Sequence, residues 1–318
     1  MKRVLFVSYS QTGQLAAVVQ SVAAPLVASA SIDVVFETLE PEEPYPFPWP
    51  FLQFFNTFPE TVHSMPRPLK PLRIGAEESF DLIILAYQVW FLSPSQPMAA
   101  FLQSREAARL LSGRPVITLI ACRNMWLMAQ ETVKQRLNAL GAPLIDNIVL
   151  TDRAHSAATF ISTPLWMLTG RRGPFLGGAV PAAGIDAADI AAARRFGCAM
   201  EAGLPALDPV HPHALLTGLG AVKVNEGLIA SERIGYRSFR IWGRLLLMLG
   251  NPRSALRLFV LCLYVVFLVA MILTVAPVAA MIRRFLAPFQ CQRIARQRAY
   301  FAEPSGEADE AHASPVHG

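Results

Sequence analysis

Five short, mostly apolar runs, each followed by a segment with helical spacing, constrain this chain more than any other feature. The runs are Val4–Val7, Ile32–Phe36, Leu82–Ala86, Val116–Ile120 and Leu144–Leu150. Strands of this length and character are buried on both faces, as in a parallel sheet covered by helices on each side. Apolar residues three and four apart predict helices over residues 14–28, about 97–111, 128–140 (closed by Gly141) and 186–203. In the last of these, Asp186 and Asp189 stand near the start, where carboxylates complement the helix dipole. The expected fold class is therefore α/β: a five-stranded doubly wound parallel sheet over residues 1–204. Such sheets bind ligands outside the C-terminal ends of their strands. No internal repeat is present. Two insertions interrupt the pattern, at about 41–75 and 151–185. The first contains PYPFPWPF at 44–51, whose prolines reduce loop entropy and predict an ordered segment. Its rings either cover a ligand, touch a membrane or pack on their own domain.

The segment after the first run, Ser10-Gln11-Thr12-Gly13-Gln14-Leu15, leads directly into a helix. Free N–H groups at a helix N-terminus and the helix dipole favour an anion such as a phosphate monoester. Hydroxyls of Ser10 and Thr12 add donors, and Gly13 permits close backbone approach. There is no Lys, so this is not a P-loop, and a single Gly does not make a dinucleotide fingerprint.

The segment resembles the flavodoxin phosphate loop, usually Ser/Thr-x-Thr-Gly-x-Thr. Ser10, Thr12 and Gly13 match, whereas Leu15 replaces the last Thr and leaves Gln14 to compensate. The resemblance covers residues 1–204 and implies a flavodoxin-like fold holding FMN; the C-terminal membrane helix is read from hydropathy below. It places Gln88, Trp90 and Phe91, in LIILAYQVWFLSPSQPM, beside the flavin ring. Cys122, Arg123 and Asn124 fall in the second flavin loop, where the Arg123 cation would stabilise the anionic reduced flavin. Within this superfamily SYSQTGQL, YPFPWPF, VWFLSPSQP and ITLIACRNMWLMAQE are similar to bacterial dialkylresorcinol condensing enzymes. Those proteins accompany ketosynthases that build dialkylresorcinol and aryl polyene lipids. The implied reaction is aromatisation of a dialkylcyclohexane-1,3-dione, with a ketosynthase or acyl carrier protein as partner; NAD(P)H is the expected co-substrate if the chain is instead a quinone reductase. Carbon–carbon condensation would require an activated Cys with His partners, and Cys122 is the one candidate. Oxidation suits the residues better, with His155 as general base and Arg123 as the second catalytic group. Arg171 and Arg172 are solvated or meet a carrier protein or lipid headgroup. His211 and His213 lack the company a metal site needs, so no metal is expected. A quinone reductase or electron carrier, and a flavin-free membrane scaffold for a ketosynthase, are the alternatives.

Composition matters for the remainder. Apolar residues make up 53% and charged residues 16% of the 318, a balance that points to partial membrane association. Residues 1–230 carry 17 Lys/Arg against 18 Asp/Glu, whereas 231–303 carry 11 Arg and only Glu232 and Glu303. The positive excess thus flanks the most apolar stretch, which favours anionic lipid over nucleic acid. That stretch, Leu258 to Ile282, has no charge across 25 positions, and a spanning helix needs ~20. Before it, 236–250 mixes Arg with Trp, Phe and Leu as interfacial helices do, at the end of a linker region spanning 205–257. A single span is favoured over a re-entrant hairpin broken at Pro277, with Arg283 and Arg284 following. Residues 283–318 form a basic then acidic tail, unstructured from Pro304. Four dispersed cysteines fit a reducing compartment. Val4–Val7 is too short for a secretory core, so the expected location is the inner (cytoplasmic) membrane with the α/β domain in the cytoplasm. The expected small-molecule partner is an apolar dione or quinone-like compound.

Overall fold

The computed structural model describes residues 1–306 except 76, 155, 276, 277, 279, 280, 282–284 and 286–289. Its strands are β1 (Lys2–Ser8), β2 (Ile32–Thr38), β3 (Leu82–Trp90), β4 (Ser93–Pro94), β5 (Val116–Cys122) and β6 (Leu144–Thr151). The sheet order is β2-β1-β3-β5-β6, all parallel, with β4 returning antiparallel on β3. Numbered without β4, the five parallel strands run 2-1-3-4-5, the flavodoxin-like arrangement. Strand alternation divides the interior in two. Leu5, Val7, Ile83 and Leu85 face one core, Val4, Phe6, Leu82 and Ile84 the other, and none of the eight is exposed.

The helices are α1 (Gln14–Ala28), α2 (Phe51–Asn56), α3 (Phe58–Val62), α4 (Gln96–Phe101), α5 (Arg105–Leu111), α6 (Leu127–Ala139), α7 (Ser156–Thr169), α8 (Ala187–Ala192), α9 (Arg194–Gly203), α10 (Glu226–Met248), α11 (Ala255–Leu273) and α12 (Cys291–Ala302). The helix expected over 97–111 is two, because Ser104 starts a new one, its Oγ accepting from the Ala107 N–H at 3.0 Å. The helix expected over 186–203 also breaks, at Ala193, and Asp186 caps its first half through the Ala188 N–H at 2.7 Å. Residues after Gly203 do not leave the domain. The Ala221 carbonyl accepts from Val149 N–H on edge strand β6, and Leu207, Leu216 and Ala221 join the core. The tail is likewise held as far as it is described. Ser305 is fully buried, and its Oγ bonds Asp146 Oδ1 at 2.9 Å and the Asn147 N–H at 2.6 Å.

Helix α10 begins ten residues before the expected interfacial segment and packs Ile229, Glu232, Gly243 and Leu246 inward. Helix α11 is the one described helix long and apolar enough to cross a membrane. Its base is fixed by Arg257, whose side chain is 1% exposed. All five guanidinium N–H groups have acceptors: Asn56 Oδ1 and carbonyl, the Gly250 carbonyl, and both Glu60 carboxylate oxygens at 2.8 and 2.9 Å. By position Arg257 is one of the eleven arginines around the apolar stretch, yet it is a buried clamp between α11 and the aromatic insertion. Above it Tyr264 stacks on Phe58 at 5.1 Å and lies 4.8 Å from Trp242.

Removing one partner of a buried ion pair strands the other charge. Arg257→Met should therefore lower stability by about 3 kcal/mol, read by denaturant unfolding in detergent with tryptophan fluorescence. The double variant with Glu60→Met should recover most of that loss; a single variant of unchanged stability would refute the clamp.

Candidate functional site

The C-terminal ends of β1, β3 and β5 converge on a cleft of about 180 Å³. The loop after β1 forms its first wall. Gly13, at φ +79° and with open space where a Cβ would project, turns the chain into α1. No acidic residue occupies the first turn of α1, so no carboxylate competes for its positive end. Ser10 Oγ accepts from the Ala16 N–H at 3.2 Å. Gln11, Thr12, Gln14 and Leu15 line the cleft, but in different ways. Leu15 is fully buried in the core beneath. The Gln14 amide is held in a two-way clamp, Nε2 donating to the Ile185 carbonyl at 3.2 Å and Oε1 accepting from the Ile185 N–H at 3.0 Å. Gln11 Nε2 donates to the Pro46 carbonyl at 2.9 Å, and its Oε1 is buried without a partner among the described residues.

The second wall comes from β3. Gln88 Oε1 accepts weakly from the Gln11 N–H at 3.4 Å. Phe91 and Leu92 form a two-residue connection to β4 with φ of +50° and +60°. Such a turn normally takes Asn-Gly; two large residues there hold backbone strain of about 1–3 kcal/mol each, beside the cleft. The strain fixes two rings in different settings. Trp90 sits in an aromatic box with Tyr45 at 5.0 Å, Trp49 at 5.9 Å and Tyr9 at 6.0 Å. Phe91 points into the cluster of Phe54, Phe58 and Phe239, at 5.1, 5.8 and 6.1 Å.

The third wall is Ala121, Cys122 and Arg123 at the end of β5. Burial pushes the Cys122 thiol up, so it stays protonated at neutral pH. Burial lowers the Arg123 guanidinium to about 10, which leaves it charged. It lies over the Phe160 ring at 3.9 Å, and among the described residues no carboxylate is within ion-pair distance of it. Ser10, Gly13 and Asn124 flank the cleft rather than lining it. His155 lies outside the described residues.

Of the roof, the sequence offers only the first insertion as one possible cover. Phe54 comes from the first insertion, and Asp152, Thr163, Trp166, Met167 and Gly184 from the second. The two insertions join where the Trp49 N–H donates to the Met167 carbonyl at 2.8 Å. Asp152 is structural: one oxygen accepts from the Ala154 N–H and the other from the Gly184 N–H, both at 2.8 Å. Arg172 is also used internally, donating to the Ala183 and Ile185 carbonyls at 2.9 and 3.1 Å. Below the third wall, Glu232 of α10 caps α6, Oε1 accepting from the Met128 N–H at 2.8 Å. Burial raises its carboxyl to about 7, against the pull of the N–H groups of Met128, Leu127 and Trp126. The sequence signal was available, since Glu232 is one of two acids among eleven arginines.

No family model matches the chain, and no curated protein is similar to it. Similar solved structures include a flavoprotein in complex with FMN from Lactobacillus acidophilus NCFM, 12% identical over 47% of this chain and 93% of that one, TM-score 0.38. Oxidised flavodoxin 1 from Bacillus cereus is 11% identical over 62% and 95%, TM-score 0.33. RosB with a bound riboflavin-phosphate intermediate is 11% identical over 64% and 79%, TM-score 0.35.

Two expectations follow. A Cβ at Gly184 would meet the Gln14 amide at 2.7 Å and Trp166 at 2.9 Å, at a φ of +92°. Gly184→Ala should therefore loosen the roof, detected as faster proteolysis within 151–185 with the sheet intact. Glu232 titrates higher when folded than the ~4.3 of an unfolded glutamate, so the native state keeps its proton longer. Its contribution to stability is complete below ~4.3 and lost as pH rises to about 7. Tm should fall more steeply between pH 5 and 7.5 in the wild type than in Glu232→Gln; equal slopes would reject this.

Proposed function

We propose that the cleft binds FMN and that the protein is a membrane-attached flavin-dependent oxidoreductase for an apolar dione or quinone-like compound. The observation that carries this reading is the donor set at the strand ends. A dianionic phosphate needs convergent neutral donors and a positive helix end, and α1 offers both with no carboxylate in its own first turn. The buried, unpartnered Gln11 Oε1 is an acceptor suited to a ribityl hydroxyl or a ring N–H. Trp90 and Phe91 supply rings, and Arg123 supplies a fixed cation at a polar edge. When bound, the flavin would supply two-electron chemistry, accepting a hydride while a base takes a proton.

The protein's own contribution is orientation, exclusion of water and charge. The two insertions cover the cleft; Gln14 holds the end of the second against the loop after β1, and Asp152 ties the two ends of that insertion together. Cys122, as a buried neutral thiol, is a poor nucleophile, which argues against carbon–carbon condensation. Conversion of a dialkylcyclohexane-1,3-dione to a dialkylresorcinol removes two hydrogens and needs no such nucleophile. The apolar surface of α10 and α11 supports attachment to a membrane, where such a substrate would dissolve.

Full-length protein in detergent, titrated with FMN, should give a saturable change in the visible flavin bands; well-folded protein that gives none would refute the assignment. Arg123→Gln should bind FMN and make it harder to reduce, by roughly 30 mV, or about 1.4 kcal/mol for two electrons. Turnover with a dialkylcyclohexanedione, yielding the resorcinol, is the expected activity. NAD(P)H–quinone turnover without it would place the protein among electron carriers.

A further inference from the structure

Both ends of the apolar segment are anchored on the same α/β body. At the near end Arg257 is buried, with every donor satisfied by α2, α3 and the turn at Gly250. At the far end the Tyr300 hydroxyl donates to Glu131 Oε2 of α6 at 2.7 Å, Phe301 is 2% exposed within the main core, and Ser305 is buried against β6. A helix that crosses a bilayer has its ends on opposite sides of ~30 Å of hydrocarbon. To cross and return to these anchors, the chain would have to bring Arg283, Arg284, Arg293, Arg296 and Arg298 through that layer. Arginine is among the most strongly disfavoured residues at the hydrocarbon centre.

The outer surface of these helices also fits a lipid interface. Helix α11 turns Arg257, Leu261 and Tyr264 inward, while Phe259, Leu263, Val266 and Leu273 are 62, 52, 69 and 71% exposed. Helix α10 exposes Ile241 and Met248 at 71 and 76%. The same helix carries exposed Arg237, Arg240 and Arg244, spaced three and four apart on one face. Among the described residues none of the three is in an ion pair. Apolar side chains beside exposed arginines without ion-pair partners suit insertion to a depth of ~5–10 Å among anionic headgroups.

We infer that α10 and α11 embed in one leaflet of an anionic membrane without crossing it, so that the cleft and the tail lie on the same side. This corrects the single span expected from sequence, and it rests on the membrane attachment proposed above. The chain carries its own reporters: Cys198 on the α/β body, Cys262 within α11 and Cys291 after the apolar segment, all exposed.

Full-length protein in inverted inner-membrane vesicles would be treated with a membrane-impermeant maleimide and mapped by peptide mass. The expected result is labelling of Cys198 and Cys291 without detergent, and of Cys262 only with it. Labelling of Cys291 only from the opposite face, in spheroplasts, would establish a crossing and overturn the inference while leaving attachment intact. Recovery in the soluble fraction, with all three cysteines labelled, would overturn attachment as well. With purified protein, vesicles containing phosphatidylglycerol should bind on the order of fivefold more weakly for each of Arg237→Gln, Arg240→Gln and Arg244→Gln, given about 1 kcal/mol per surface arginine. Unchanged binding of the triple variant would remove the electrostatic half of the inference.

Discussion

A parallel sheet whose central strands are buried on both faces can present chemistry only at its strand ends, and this constraint organises the whole protein. Leu5, Val7, Ile83 and Leu85 on one side, and Val4, Phe6, Leu82 and Ile84 on the other, leave no strand face for a ligand. The backbone must therefore do something unusual where the strands stop. After β1 it turns through Gly13 into a helix without a competing carboxylate; after β3 it doubles back through two strained residues; after β5 it places a cation. Everything else on the cleft is scaffolding built over these three ends.

What the sequence discloses follows from the range of the interactions involved. The strands are legible because burial on both faces leaves a local compositional trace, and Asp186 is legible as a cap because capping acts within one turn. The breaks at Ser104 and Ala193 are visible only weakly, since the apolar spacing continues through both. The cleft walls were readable from strand-end position: Gln11, Thr12, Gln88, Trp90, Cys122 and Arg123 all lie there. The roof was not, because Gln14 meets Ile185 across 171 residues and the Trp49–Met167 contact joins two insertions. Arg253 and Arg257 look alike in sequence; only a carboxylate 197 residues away makes the second a clamp. Leu15, at the position where the phosphate loop usually carries its last Thr, belongs to the core, as helical periodicity already implies.

Three ionisable groups removed from water are handled in three ways. Arg257 has five acceptors, two of them from a carboxylate, and so acts as a structural bolt. Glu232 is compensated by the N-terminus of α6 alone, which is why its carboxyl stays near neutrality in its titration. Arg123 has an aromatic face and, among the described residues, no ion-pair partner; the carboxylate that acts on it from nearby, Asp152, is already engaged by the N–H groups of Ala154 and Gly184. A buried cation without an ion-pair partner costs stability, and this one lines the cleft.

The aromatic residues connect the two halves of the molecule. Phe54 and Phe91 line the cleft and meet each other at 5.1 Å, and Phe91 also packs with Phe58 and Phe239, which in turn meet Tyr264 of α11 at 5.1 and 6.4 Å. Between the strand end and the apolar helix there is thus a continuous series of rings with no intervening charge on its members. A helix held only by lipid would not need such a series, because hydrocarbon gives no driving force toward protein over lipid. Here α11 is bound on one side by rings and Arg257 and left bare on the other. That division of one helix into a protein face and an exposed apolar face is what the proposed membrane attachment requires, since it would bring the cleft within reach of molecules dissolved there.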